Sequence, residues 1–182
     1  MKKRNNKWLK IVGVLFILLI AFIIFVMKSQ GSLSGKIKDG LIGVMTKSLQ
    51  SSCVPKINVD LAASHPADYI FLDSRQQKEY DVSHIKNSIY VGDQDFSIEK
   101  LSQIPKNAGI VVYCSVGVRS DKIAKEIIDA GYTKVHNMLG GIFEWINEGY
   151  PVYDSTGIRT SSVHGYSKFW GAFVNSDHKV YY

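Results

Sequence analysis

Hydrophobic and polar positions divide the 182-residue chain into two regimes. From Trp8 to Met27 it reads WLKIVGVLFILLIAFIIFVM, and Ile11 to Met27 carries no charge. At about 1.5 Å per residue such a run crosses most of a roughly 30 Å hydrocarbon core, and it exceeds the roughly 7–15 apolar residues of a signal peptide. A retained membrane anchor is therefore expected, with Ser32 and Ser34 offering only a mediocre cleavage site. Beyond Pro55 the pattern changes to short β-branched and aromatic runs bounded by turn residues: YIFLD (69–73), SIYVG (88–92), GIVVYC (109–114) and KVHNML (134–139). With helical or turn segments between them, these runs predict an α/β domain whose central parallel β-sheet has helices on both faces. The clearest helix is SDKIAKEIIDAG (120–131), capped by Ser120 and ended by Gly131. Ile123, Ala124, Ile127 and Ile128 form its apolar stripe, and Asp121–Lys125 and Lys122–Glu126 are expected to pair on the wet face.

The same patterning gives the domain organisation: an anchor over 1–28, a linker over 29–54, the α/β domain over 55–152 and an extension over 153–182. The Gly/Ser/Lys linker leads into Ile37, Leu41, Met45 and Leu49, which recur every four residues as in a short amphipathic helix. In the extension, apolar residues around Trp170 and Phe173 followed by Asn-Ser-Asp predict a β-hairpin. Tyr166, Phe169, Trp170, Tyr181 and Tyr182 either pack against the domain or form an exposed partner patch.

Charge refines this picture. Six of the 22 basic residues lie within 1–28, which has no acid, so the other 16 balance the 16 acidic residues and the net charge of +6 belongs to the N-terminus. A neutral remainder without a basic run argues against a nucleic-acid partner. Five Lys/Arg within the first ten residues, against Lys28, Lys36, Lys38 and Lys47 after the span, predict a single-pass protein of a bacterial-type inner membrane. Residues 8–27 then sit in the lipid bilayer and the domain lies on the extracytoplasmic side.

Of two cysteines, Cys114 ends an apolar strand in VVYCSVGVRSD (111–121), just before the predicted helix. It is either buried filler or a nucleophile. Open α/β folds place ligands at the carboxyl edge of the sheet, where this loop falls. The backbone N–H groups of Ser115, Val116, Gly117, Val118, Arg119 and Ser120 can curl round one point if Gly117 permits a tight turn, making an anion nest at a helix N-terminus. Such a setting, with an arginine nearby, favours a thiolate and stabilises negative charge on a group carried by sulfur.

These residues, with others in order, resemble the single-domain rhodanese-type sulfurtransferases. The resemblance runs from about Ile57 to Val152 and rests on FLDSR (71–75), EYDVSHIKNSIYV (79–91), VVYCSVGVRS (111–120), then LGGIFEW and NEGYPV (139–152). The chain departs from the family around His84, where Ser83, Asn87 and Ser88 replace the usual glycines and alanine. The resemblance implies that Cys114 accepts a sulfane sulfur from a small donor, holds it as a persulfide and passes it to a thiol or cyanide acceptor without a cofactor. Four residues separate Cys114 from Arg119, as in the sulfurtransferases, where phosphatases of this fold use five.

Asp73, Arg75 and Glu79 read as an ion-pair frame supporting the loop. His84 matches a structural family position, Gly140 and Gly141 allow a tight turn near the site, and Trp145 is core or pocket wall. Cys53 reads as a linker thiol, and the cysteines and scattered histidines lack metal-ligand spacing. Two other functions stay open: a catalytically idle module that binds a protein partner of unknown kind, and a thiol redox sensor using Cys53 and Cys114.

Overall fold

In the computed structural model the described residues are 50, 53–176 and 178–182. Five parallel strands form the sheet: β1 (Lys56–Ile57), β2 (Ile70–Asp73), β3 (Ile89–Tyr90), β4 (Gly109–Tyr113) and β5 (Lys134–Met138), in the order β1-β5-β4-β2-β3. Helices α1 (Val59–Ser64), α2 (Gln77–Val82), α3 (Arg119–Asp129) and α4 (Gly141–Asn147) alternate with them.

The central strand explains the layering. Side chains alternate across a strand with period two, so Ile110 and Val112 of β4 join Ile123, Ala124 and Ile127 of α3 on one face. Val111 and Tyr113 join Ile142, Phe143 and Trp145 of α4 on the other. With both faces covered, β4 must be apolar throughout, as GIVVY is. Full burial of each such aliphatic side chain contributes about 1.5–3 kcal/mol.

The chain steps outward from β2 to β3, then returns to β4 and steps the other way to β5. The direction of winding reverses between β2 and β4, so the crevice beyond their carboxyl ends is the switch point of the sheet. The first turn of α2, which follows β2, and the loop leaving β4 carry Glu79 and Cys114 there.

Several expectations change. α3 starts at Arg119 with Val118 in the capping position, because the Ser120 hydroxyl instead donates to Asn137 Oδ1 at 2.7 Å. Asp121 is buried and pairs with Lys56 rather than Lys125, which takes Asp129 at 2.6 Å. Lys122 does meet Glu126, at 3.8 Å, and Gly131 follows the helix at φ +91°. In the extension a hairpin joins β6 (Val152–Tyr153) to β7 (Arg159–Thr160), well before the expected turn. Asp154 makes this turn by accepting from the backbone N–H of both Thr156 and Ile158. Around Trp170 the expected hairpin is replaced by α5 (Lys168–Gly171), capped by Ser167, and the flanking β8 (Ser162–His164) and β9 (His178–Val180) run parallel. The serine cap diverts this segment into a helix before the chain can reverse.

The expected membrane location is corrected: among the described residues no helix is long and apolar enough to cross a membrane. The run 8–27 on which that expectation rested, and the helix expected from Ile37 to Leu49, lie outside the described residues.

Candidate active site

At the end of β4 the Tyr113 carbonyl accepts from both the backbone and the side chain of Ser74, each at 2.9 Å. The next carbonyls are gripped by α4: Ile142 N–H donates to Cys114 O at 2.8 Å and Phe143 N–H to Ser115 O at 3.1 Å. This close approach requires Gly141, since a Cβ there would lie 2.7 Å from the Ser115 carbonyl carbon. The Gly117 carbonyl, in turn, accepts from Asn137 Nδ2 at 2.8 Å and Gln50 Nε2 at 3.0 Å. Gly117 has φ +89°, as the tight turn demands, and its own N–H donates to Cys114 Sγ at 3.2 Å. The loop thus closes on the buried sulfur.

The charged frame stands beside it. Glu79, fully buried, receives Arg119 Nη1 on Oε2 at 2.7 Å and Nη2 on Oε1 at 2.9 Å. The Ser115 hydroxyl donates to Glu79 Oε1 at 2.9 Å and also accepts from Arg119 Nη2 at 2.8 Å. Burial alone pushes the Glu79 carboxyl up, but hydrogen bonding and charge from Arg119, with Arg75 beyond, bring it down to about 2. Burial likewise opposes the Arg119 charge, yet Glu79 and Cys114 hold its pKa above the ordinary arginine value. Deeper in, Arg75 grips Asp73 through two nitrogens and donates to the Ser83 carbonyl at 2.6 Å.

A cavity of about 140 Å³ opens over Cys114, bounded by Ser115, Val116, Val118 and Arg119. Its remaining wall is Tyr166 and Trp170 of the extension. Of the loop residues named from sequence, Gly117 contributes its amide, whereas the Ser120 side chain turns away toward β5. Asp73 and Arg75 pair with each other, and Glu79 serves Arg119 instead. His84 stacks on Tyr80 with ring centroids 4.0 Å apart, and Trp145 lies in the core against Phe71. Among the described residues no disulfide joins exposed Cys53 to buried Cys114.

Asn137, Gln50, Tyr166 and Trp170 were not foreseen at the site. Asparagine inside an apolar strand is a usable signal, because a buried amide needs partners; the aromatic density of the tail is another.

A parallel α/β sheet with a cysteine loop closing on a helix N-terminus at its switch point defines a class of single-cysteine domains. Residues 59–148 match the rhodanese-like domain family, and the chain contains a rhodanese-like domain. Among curated proteins it is 32% identical over 94 residues to a tRNA uridine(34) hydroxylase of Photorhabdus laumondii, covering 47% of this chain and 27% of that protein. The Pectobacterium carotovorum protein of the same name is 30% identical over 96 residues, covering 50% and 26%. The chain therefore spans about a quarter of the length of these relatives. Its fold is shared with the solved rhodanese-like domain of an Anabaena protein (TM-score 0.53, 22% identity, 58% of this chain and 83% of that one). It is shared as well with a thiosulfate sulfurtransferase from Pseudomonas aeruginosa (TM-score 0.52, 16% identity, 75% and 26%).

Proposed function

We propose that the chain is a sulfurtransferase that carries sulfane sulfur on Cys114 and passes it to a nucleophilic acceptor. The observation that carries this reading is the Gly117 N–H aimed at Cys114 Sγ at 3.2 Å, inside a loop whose carbonyls are fastened elsewhere. A thiolate so placed attacks the outer sulfur of a donor R–S–SH. The donor's own S–S bond breaks, R–S⁻ leaves with the electron pair, and Cys114 becomes a persulfide. An acceptor such as cyanide then attacks the outer sulfur, departs as thiocyanate and restores the Cys114 thiolate.

The charge balance favours a weakly charged donor. Among the described residues lining the cavity Arg119 is the one cation, and Glu79 already takes both of its terminal nitrogens. Doubly charged thiosulfate consequently finds little uncompensated positive charge, a deficit of about 1–4 kcal/mol per missing unit charge near 4 Å. A short alkyl persulfide, at most singly charged, avoids most of that cost. The tRNA chemistry named for the hydroxylase relatives is left out of this reading, since only about a quarter of each is matched.

Intact-protein mass spectrometry after exposure to a polysulfide tests the reading. The expected result is a gain of one sulfur on wild-type protein, reversed by cyanide and absent in Cys114→Ser. A wild-type chain that acquires no sulfur from any donor would leave an idle binding module as the better account.

A further inference from the structure

The wall of the Cys114 cavity opposite the loop comes from the extension, beyond the residues that match the rhodanese-like family. That wall is built firmly. Gly165 N–H donates to the Val180 carbonyl at 3.0 Å, and Tyr166 N–H donates to His164 Nδ1 at 3.1 Å. His164 itself is buried, and the Tyr181 ring lies against Gly165 and Gly171, where any Cβ would collide with it. Tyr166 is held at φ +60°, a conformation that a bulky residue adopts only where its surroundings enforce it. This backbone places its ring 4.7 Å from the Arg119 guanidinium, on which it stacks. Trp170 is fixed by its ring contacts with Phe169 and Phe173, at 5.2 and 6.1 Å.

The space left is small. At about 140 Å³ it lies below the roughly 300 Å³ at which pockets for larger ligands begin. Val116, Val118, Tyr166 and Trp170 make its surface chiefly apolar.

We propose that Tyr166 and Trp170 are specificity-determining residues that admit a short alkyl persulfide to Cys114 and exclude donors with bulky groups next to the sulfur. The inference rests on the sulfur-transfer reading above and adds the size and polarity of the donor. Removing either ring opens the cavity while the hydrogen bonds that hold the Cys114 loop, including the Glu79 grip on Arg119, stay in place, so the short donor keeps its access and the bulky one gains it.

Two measurements test this on the full chain. The first is kcat/KM with ethyl persulfide and with glutathione persulfide, using cyanide as acceptor. Wild-type protein is expected to favour the ethyl donor by about tenfold or more, in the range that steric pockets achieve. Tyr166→Ala and Trp170→Ala should shrink that ratio to about threefold or less, chiefly by raising the rate with the bulky donor. Trp170→Phe, which keeps a ring, should fall between. Tyr166 is half exposed, so its replacement leaves the fold intact even if Trp170→Ala does not. The second measurement needs no sulfur transfer: the rate of Cys114 alkylation by a fluorescein maleimide relative to iodoacetamide should rise in the same variants. An unchanged donor ratio together with an unchanged alkylation ratio in Tyr166→Ala would overturn the proposal. A changed alkylation ratio in protein that no donor loads would keep the aromatic gate and sink the sulfurtransferase reading.

Discussion

Glu79 and Arg119, forty residues apart, meet across the sheet's switch point in a two-pronged ion pair that also binds the Ser115 hydroxyl. Because the carboxyl is held down at about 2 from an ordinary 4.5, its ionisation stabilises the fold fully above about pH 4.5, and that contribution fades as pH falls toward 2. The shift corresponds to about 3 kcal/mol. Glu79→Gln is therefore expected to lower unfolding stability by about that amount at pH 7, leaving Arg119 poorly paired. Urea unfolding at a series of pH values should show the gap between wild type and variant narrowing below pH 4.5. A gap that stays constant down to pH 3 would show that Glu79 acts by packing rather than charge.

Arg119→Lys keeps the charge but cannot bridge both Glu79 oxygens and Ser115 at once. The expected outcome is a loss of about 1–2 kcal/mol in stability and partial retention of sulfur transfer, read by denaturant midpoint and cyanide-coupled turnover. Complete inactivation of a folded Arg119→Lys protein would mean that the guanidinium contacts the donor directly.

Two glycines carry the loop geometry. Gly117→Val places a β-branched residue at φ +89° with its Cβ 2.9 Å from the Met138 carbonyl oxygen. Gly141→Ala drives a methyl into the carbonyls of Cys114 and Ser115. Both variants are predicted to lose sulfur loading about a hundredfold or more while folding, if less stably, as misplacement near the chemistry does. Circular dichroism and persulfide mass spectrometry on one preparation check this, and wild-type loading by Gly117→Val would discard the amide-nest geometry.

Donor choice is the fourth test. With Arg119 already satisfied by Glu79, a short alkyl persulfide should load Cys114 with a kcat/KM about tenfold or more above that of thiosulfate. Equal efficiency, measured against cyanide as common acceptor, would show that the loop amides alone supply the field thiosulfate needs.

What was legible in the sequence follows from range. The buried strands β2, β4 and β5 announce themselves as apolar runs, and the stripe on α3 by its spacing, because those signals are local. SIYVG (88–92) likewise marks β3, short as it is, whereas β1 pairs over only two residues and gives periodicity nothing to count. At the site, Cys114, Gly117 and Arg119 stand out within one short stretch. The pairing of Arg119 with Glu79, rather than of Glu79 with Asp73 and Arg75, depends on how two crossovers bring their loops together. The tail misled because alternating aromatics fit a strand as well as a helix turn, and the Ser167 cap decided between them.

The loop is also fastened by its oxygens. In a trans peptide the N–H points opposite to the C=O; no cis bond occurs among the described residues. Anchoring the carbonyls of Cys114, Ser115 and Gly117 therefore turns the amides of Ser115, Val116 and Val118 away from those anchors. The polarity around the sulfur is written in main-chain atoms, so the side chains at 116 and 118 can reshape the cavity for a new donor, within the volume their packing against the core allows, while the charge-stabilising framework behind them stays in register.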